Sequence, residues 1–158
     1  MRVMNKFLLC AILPGFALVL AFVPQRAASG FPQNPGAESV PAFHAQPPEG
    51  PLPPTMSTEL FTDPVIKNAY AAAARVKKAL YQQPCYCHCD RSQGHGSLLD
   101  CFASKHGSGC GTCIQEALYT YEQSRRGRSP AQIREGIERG EWQSVDLSKY
   151  QKPAFPSK

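Results

Sequence analysis

The sequence has no strong excess of either charge. Outside its amino-terminal 28 residues, 14 lysines and arginines face 12 aspartates and glutamates. A nucleic-acid footprint needs basic residues clustered on one face. The one basic cluster, Arg125, Arg126 and Arg128, reads as a solvated helix end and loop, so nucleic acid is not an expected partner. No paired carboxylates and no nucleophile–base spacing support hydrolytic chemistry. There is no βαβ pattern, the usual setting of a C-x-x-C redox motif. Ile114 stands where a c-type haem attachment would require histidine. Internal repeats are absent and aliphatic residues are sparse. An enzyme is therefore not the expected reading, and any core is small.

The amino-terminal segment carries a targeting pattern. Arg2 and Lys6 precede an apolar run from Phe7 to Val23, followed by the small residues Ala27, Ala28 and Ser29. This is the pattern of a secretory signal peptide over residues 1–29. The run sits at the lower edge of a membrane span, so an uncleaved anchor over 7–23 is the alternative. Cys10 precedes most of the apolar run, where a lipid-attachment site would follow it, and so belongs to the leader. Either form leaves the chain exported, periplasmic or otherwise extracytoplasmic, with membrane contact only through this segment. Another exported or membrane protein is the expected class of partner.

Residues 30–61 read as a linker, with eight prolines between Pro32 and Pro54 and His44 as a solvated side chain. Such a stretch buries too little apolar surface to offset the entropy of ordering it. Asp63 followed by Pro64 predicts a helix start. Ile66, Tyr70, Ala73, Val76 and Leu80 continue its period, predicting a helix to about Tyr81, before Pro84. Ser97 and Asp100 suggest a capping box for a short helix ending near Gly107. Cys113 opens a third helix with Ile114, Ala117, Leu118 and Tyr121 inward. Ser129, Pro130 and Gln132 start a fourth that ends at Gly140, after which Trp142 docks. The expected fold is mainly α. It is a small bundle of three or four short helices over residues 62–143, stapled by a Cys/His-rich loop region, with a disordered linker before it and a tail over 144–158.

What the chain has in abundance is sulfur. Cys85, Cys87, Cys89, Cys101, Cys110 and Cys113 fall within 29 consecutive residues. Export favours disulfides, and six cysteines allow fifteen pairings. If "CYCHC" is extended, Cys85, Cys87 and Cys89 share one face and His88 points away from them. Cysteines two apart make strained bridges with each other, whereas converging thiolates around an ion meet the spacing more easily. "CGTC" at 110–113 can offer two sulfurs from a helix start. His95 and His106 lie in Gly-rich loops on either side of Cys101. Soft thiolates with imidazole select copper or zinc. An iron–sulfur cluster is less favoured, because the leader lacks the twin arginines of a folded-export route. The expected metal ligands are Cys85, Cys87, Cys89, His95, Cys101, His106, Cys110 and Cys113, filling one polynuclear site or two tetrahedral ones. A disulfide-stapled interaction domain and a dithiol redox protein are the alternatives.

Four blocks in order, "PCYCHC", "GHGSLLDCF", "HGSGCGTCIQEA" and "RGRSPAQIREGIE", resemble the bacterial family named for its PCYCGC motif. The resemblance covers about residues 64–140. It implies a small exported protein, often a lipoprotein, and places the same eight Cys and His residues on motif positions. It implies no reaction. His88 stands where the motif has glycine, and no lipobox is present.

Overall fold

The computed structural model describes residues 39–152 and 155, all within one unit of the chain. The leader and the first part of the linker lie outside the described residues. Among the described residues there are six α-helices and no strand, and no helix is long and apolar enough to cross a membrane.

The helices are α1 (Pro64–Arg75), α2 (Lys77–Leu80), α3 (Cys89–Gln93), α4 (Leu98–Phe102), α5 (Gly111–Arg125) and α6 (Pro130–Glu138). Single 3₁₀ turns lie at Thr58–Leu60, His106–Gly109, Glu141–Ser144 and Leu147–Tyr150. Asp63 caps α1 as expected, its carboxylate accepting from the backbone of Val65 at 2.7 Å and Ile66 at 3.1 Å. The helix expected over 64–81 is two helices. Val76 leaves the helical region (φ −121°, ψ 30°), and α2 then carries Leu80 into the core. Ser129 and Gln132 form a reciprocal capping box at α6, and Gly140 follows in the left-handed region (φ 76°) that favours glycine.

α5 packs along α1, and the other elements close around the pair. Tyr70, Leu80, Leu98, Leu99, Phe102, Leu118, Ile133 and Ile137 are fully buried. Each such side chain contributes roughly 1.5–3 kcal/mol, which makes a modest core and leaves room for a staple. Tyr70 packs against Phe61 and Phe102 and donates to the Ser104 carbonyl at 2.7 Å. Tyr121, expected inward, lies half-buried against Phe155.

The two flanking segments depart from expectation. The described part of the linker lies on the helices rather than free of them. His44 stacks on Tyr81 (3.9 Å between ring centres), Met56 donates its N–H to the Phe102 carbonyl at 2.9 Å, and Arg134 covers Phe43. Proline-rich chain is stiff, so docking it costs less entropy than its polarity suggests. The tail is held too. Val145 and Tyr150 are buried, Tyr150 donates to Glu122 at 2.8 Å, and the Asn68 amide donates to the carbonyls of Tyr150 at 2.7 Å and Lys152 at 2.8 Å. Replacing Asn68 with alanine leaves two carbonyls unpaired. The expected loss is about 1–3 kcal/mol in chemical denaturation, with early exposure of the tail to proteolysis.

Candidate metal centre

Backbone anchors aim the cysteine loop. Gln83 is buried, its amide donates to the carbonyls of Ala79 at 2.9 Å and Pro130 at 3.2 Å, and its own carbonyl accepts from Leu98 at 2.9 Å. One loop end is thereby fixed to α2, α4 and α6 before the first cysteine. The segment that follows is not the extended strand expected of "CYCHC". His88 donates its N–H to the Cys85 carbonyl at 3.0 Å, closing a turn, and Cys89 then begins α3. The sulfurs converge because the chain folds back, not because side chains alternate.

His88 itself occupies the left-handed region (φ 55°, ψ 35°) at the start of α3. A side chain there costs about 1–2 kcal/mol, and glycine costs nothing comparable. That explains why the resembled motif carries glycine at this position. The His88 ring lies beside Asp90 and Tyr86, outside the ligand groups described below. Changing His88 to glycine is therefore expected to stabilise the protein by about 1 kcal/mol in thermal denaturation without lowering its metal content.

The remaining ligands arrive from three directions. Cys89 and Cys101 approach to 3.3 Å between sulfurs, and His95 Nδ1 lies 3.2 Å from the first and 3.3 Å from the second. The His106 ring meets the His95 ring edge-on at 5.1 Å. Cys85, Cys87 and Cys113 form a triangle with sulfur separations of 3.3, 3.4 and 3.5 Å. Cys85, Cys89, Cys101 and Cys113 are buried, whereas Cys87, Cys110, His95 and His106 are partly exposed. The cluster has a closed side and an open one.

Four overlapping groups bring ligand atoms within 4.8 Å of one another: Cys89, His95, Cys101 and His106; Cys85, Cys101 and Cys113; Cys85, Cys87 and Cys89; Cys87, His106 and Cys113. Each can hold a metal ion. Cys110 is in none of them. Its sulfur caps α5, accepting from the Cys113 N–H at 3.3 Å. All six cysteines among the described residues are free thiols.

The thiols divide by what they hold. Cys85 donates to Cys87, which drops to about 4 with that contact as the leading cause. Cys101 drops to about 2, with contacts to Cys113 and then Cys85 as the leading causes, and Cys110 also falls, mainly through Cys113. Cys85 and Cys113 rise, because they keep the protons their neighbours share, with burial adding to the rise. His106 rises through its contact with Cys87. A soft cation replaces such shared protons directly.

Two supporting residues escape the sequence reading. Glu116 is fully buried on α5, accepts from the Tyr86 N–H at 2.9 Å, and is pushed up to about 8 by burial. It is thus a neutral acid under the cysteine turn at neutral pH. Its signal was its position one turn after Cys113 on the same helix face. Gly107, expected to stop a helix, instead lies inside the 3₁₀ turn at His106–Gly109. A Cβ on it would sit 2.8 Å from the Cys101 carbonyl oxygen and 3.3 Å from the Tyr70 hydroxyl. The glycine lets His106 approach the buried cysteine. Its replacement by alanine is expected to cost about 1–3 kcal/mol in thermal denaturation and to weaken metal retention.

No curated protein and no solved structure matches the chain. A family model matches residues 52–144, from the docked linker through the 3₁₀ turn at Glu141–Ser144. Its motif cysteines are those that the turn at residues 85–88 draws together. The chain belongs to the family described as proteins of unknown function with a PCYCGC motif.

Proposed function

We propose that this is an exported metal-binding protein that holds monovalent copper or zinc through clustered cysteine thiolates with histidine. The observation that carries the reading is the convergence of five sulfurs and two imidazoles into overlapping groups within 4.8 Å. Sulfur with imidazole is the donor set of a soft or borderline cation, not of magnesium or calcium. A disulfide framework gives each sulfur one bonded partner. Here Cys85 stands near both Cys87 and Cys113 at similar distances, so no pairing is preferred within that triangle. Export rests on the leader pattern over residues 1–29. Another exported or membrane protein would deliver or receive the ion, with membrane contact confined to the amino-terminal segment.

Elemental analysis of protein purified anaerobically from its native host tests this, paired with thiol titration before and after a chelator. Bound copper or zinc, with thiols that become reactive only after chelation, is the expected result. Thiols that stay hidden until a reductant is added indicate disulfides and contradict it. A protein that loses an oxidoreductase activity, but not its fold, when Cys110 or Cys113 becomes serine would also contradict it.

A further inference from the structure

We propose that the centre is binuclear, holding two ions that share one cysteine sulfur. This rests on the metal-binding reading and fixes how many ions the site takes and how they are joined. One four-coordinate ion leaves three of the seven converging donors unused. Two four-coordinate ions sharing one sulfur use all seven. The groups assign them. Cys89, His95, Cys101 and His106 offer one site with two sulfurs and two nitrogens. The Cys85, Cys87 and Cys113 triangle offers three sulfurs to a second, and Cys101 also lies within 4.8 Å of Cys85 and Cys113. Cys101 therefore reaches both, and so does Cys89, which lies within 4.8 Å of Cys85 and Cys87, so a cysteine sulfur of the first group is the shared donor.

The chemistry of the donors agrees. A neutral imidazole has one acceptor nitrogen and cannot bridge, so His106 serves one ion although it borders both groups. A thiolate sulfur has lone pairs for two ions. Charge points the same way. If all five sulfurs bind as thiolates, two divalent ions offset four of their five mostly buried charges, whereas one ion offsets two and leaves the other sulfurs to stay protonated. The polar side chains that interact with these sulfurs are mainly one another and the two histidines, not lysine or arginine. A second cation supplies the missing compensation.

The test is anaerobic titration of the reduced full-length protein with zinc(II), counted by native mass spectrometry, with X-ray absorption on the loaded sample. Two ions per chain and a metal–metal scattering path are expected. The His95→Gln/His106→Gln variant is expected to fall from two ions to one while retaining its helical circular dichroism, because the sulfur triangle and Cys101 remain. Saturation at one ion, or two ions without a metal–metal path, overturns the binuclear centre and leaves the metal-binding reading standing. Neither zinc(II) nor, in a parallel titration, copper(I) bound by a protein whose cysteines all titrate as free thiols overturns both.

Discussion

Loading the reduced protein with zinc or copper(I) is expected to raise its melting midpoint by roughly 20 °C. Structural zinc in small domains is worth about 10–16 kcal/mol of apparent binding free energy at neutral pH. Part of that offsets the cost of ordering a site from an unfolded chain. Here Gln83, Glu116 and the ends of α4 and α5 already hold the donors in place, and about 5 kcal/mol of net stabilisation is a reasonable share. One kcal/mol moves the midpoint by about 4 °C in a domain of this size. The metal-free protein keeps a folded core around Tyr70, Phe102 and Leu118, so it should melt earlier but still cooperatively. The Cys101→Ser/Cys113→Ser variant should lose nearly all of the shift. Serine keeps the shape of each buried site but not its soft donor. Wild-type midpoints with and without metal that agree within about 2 °C would show that the ion is not a staple.

The second large effect concerns Glu116 in the metal-free, reduced protein. Burial raises its carboxyl from 4.5 to about 8. In the unfolded chain it ionises first, so the unfolded state sheds its proton while the folded state keeps it. Wild-type stability therefore falls as pH climbs from about 4.5 to about 8, and the full penalty is present above that window. The Glu116→Gln variant has no such proton, yet its amide oxygen can still accept from Tyr86. Its stability relative to wild type should grow by a few kcal/mol across the window, with little difference below it. Paired denaturation curves at the two ends measure this, since other titrating groups cancel in the difference. A pH-independent difference would mean that Glu116 is ionised in the folded state. Alanine at the same position should instead be less stable than Glu116→Gln at every pH, because it removes the side-chain acceptor that faces the Tyr86 N–H and leaves a buried cavity.

Helix starts were legible because their chemistry is local. Asp63–Pro64 and Ser129–Pro130–Gln132 satisfy their own free N–H groups, and both helices begin there. The break at Val76 was not legible. The sequence places neither glycine nor proline at that point, and no side chain caps the start of α2. The contacts made by the described parts of the flanks were not legible, for one reason. Their affinity for the bundle comes from single contacts at long range, such as His44 on Tyr81 and Asn68 on the carbonyls of Tyr150 and Lys152. Composition averages over such contacts.

The clustered sulfurs were legible as a set, but not their arrangement. Alternation along an extended strand predicts that Cys85, Cys87 and Cys89 share a face. A turn, not a strand, brings those three sulfurs within 4.8 Å of one another, and it also places Cys89 3.3 Å from Cys101. The left-handed residue that makes this possible is His88. The bare sequence hides that role, because non-glycine residues are uncommon in this conformation, although histidine is among those that enter it most readily.

X-ray absorption at the copper and zinc edges, on protein purified anaerobically from its native host, tests the central claim most directly. The expected first shell is dominated by sulfur with a minority of imidazole nitrogen. A shell of oxygen and nitrogen alone, or a metal-free protein whose cysteines are joined in pairs, would contradict it.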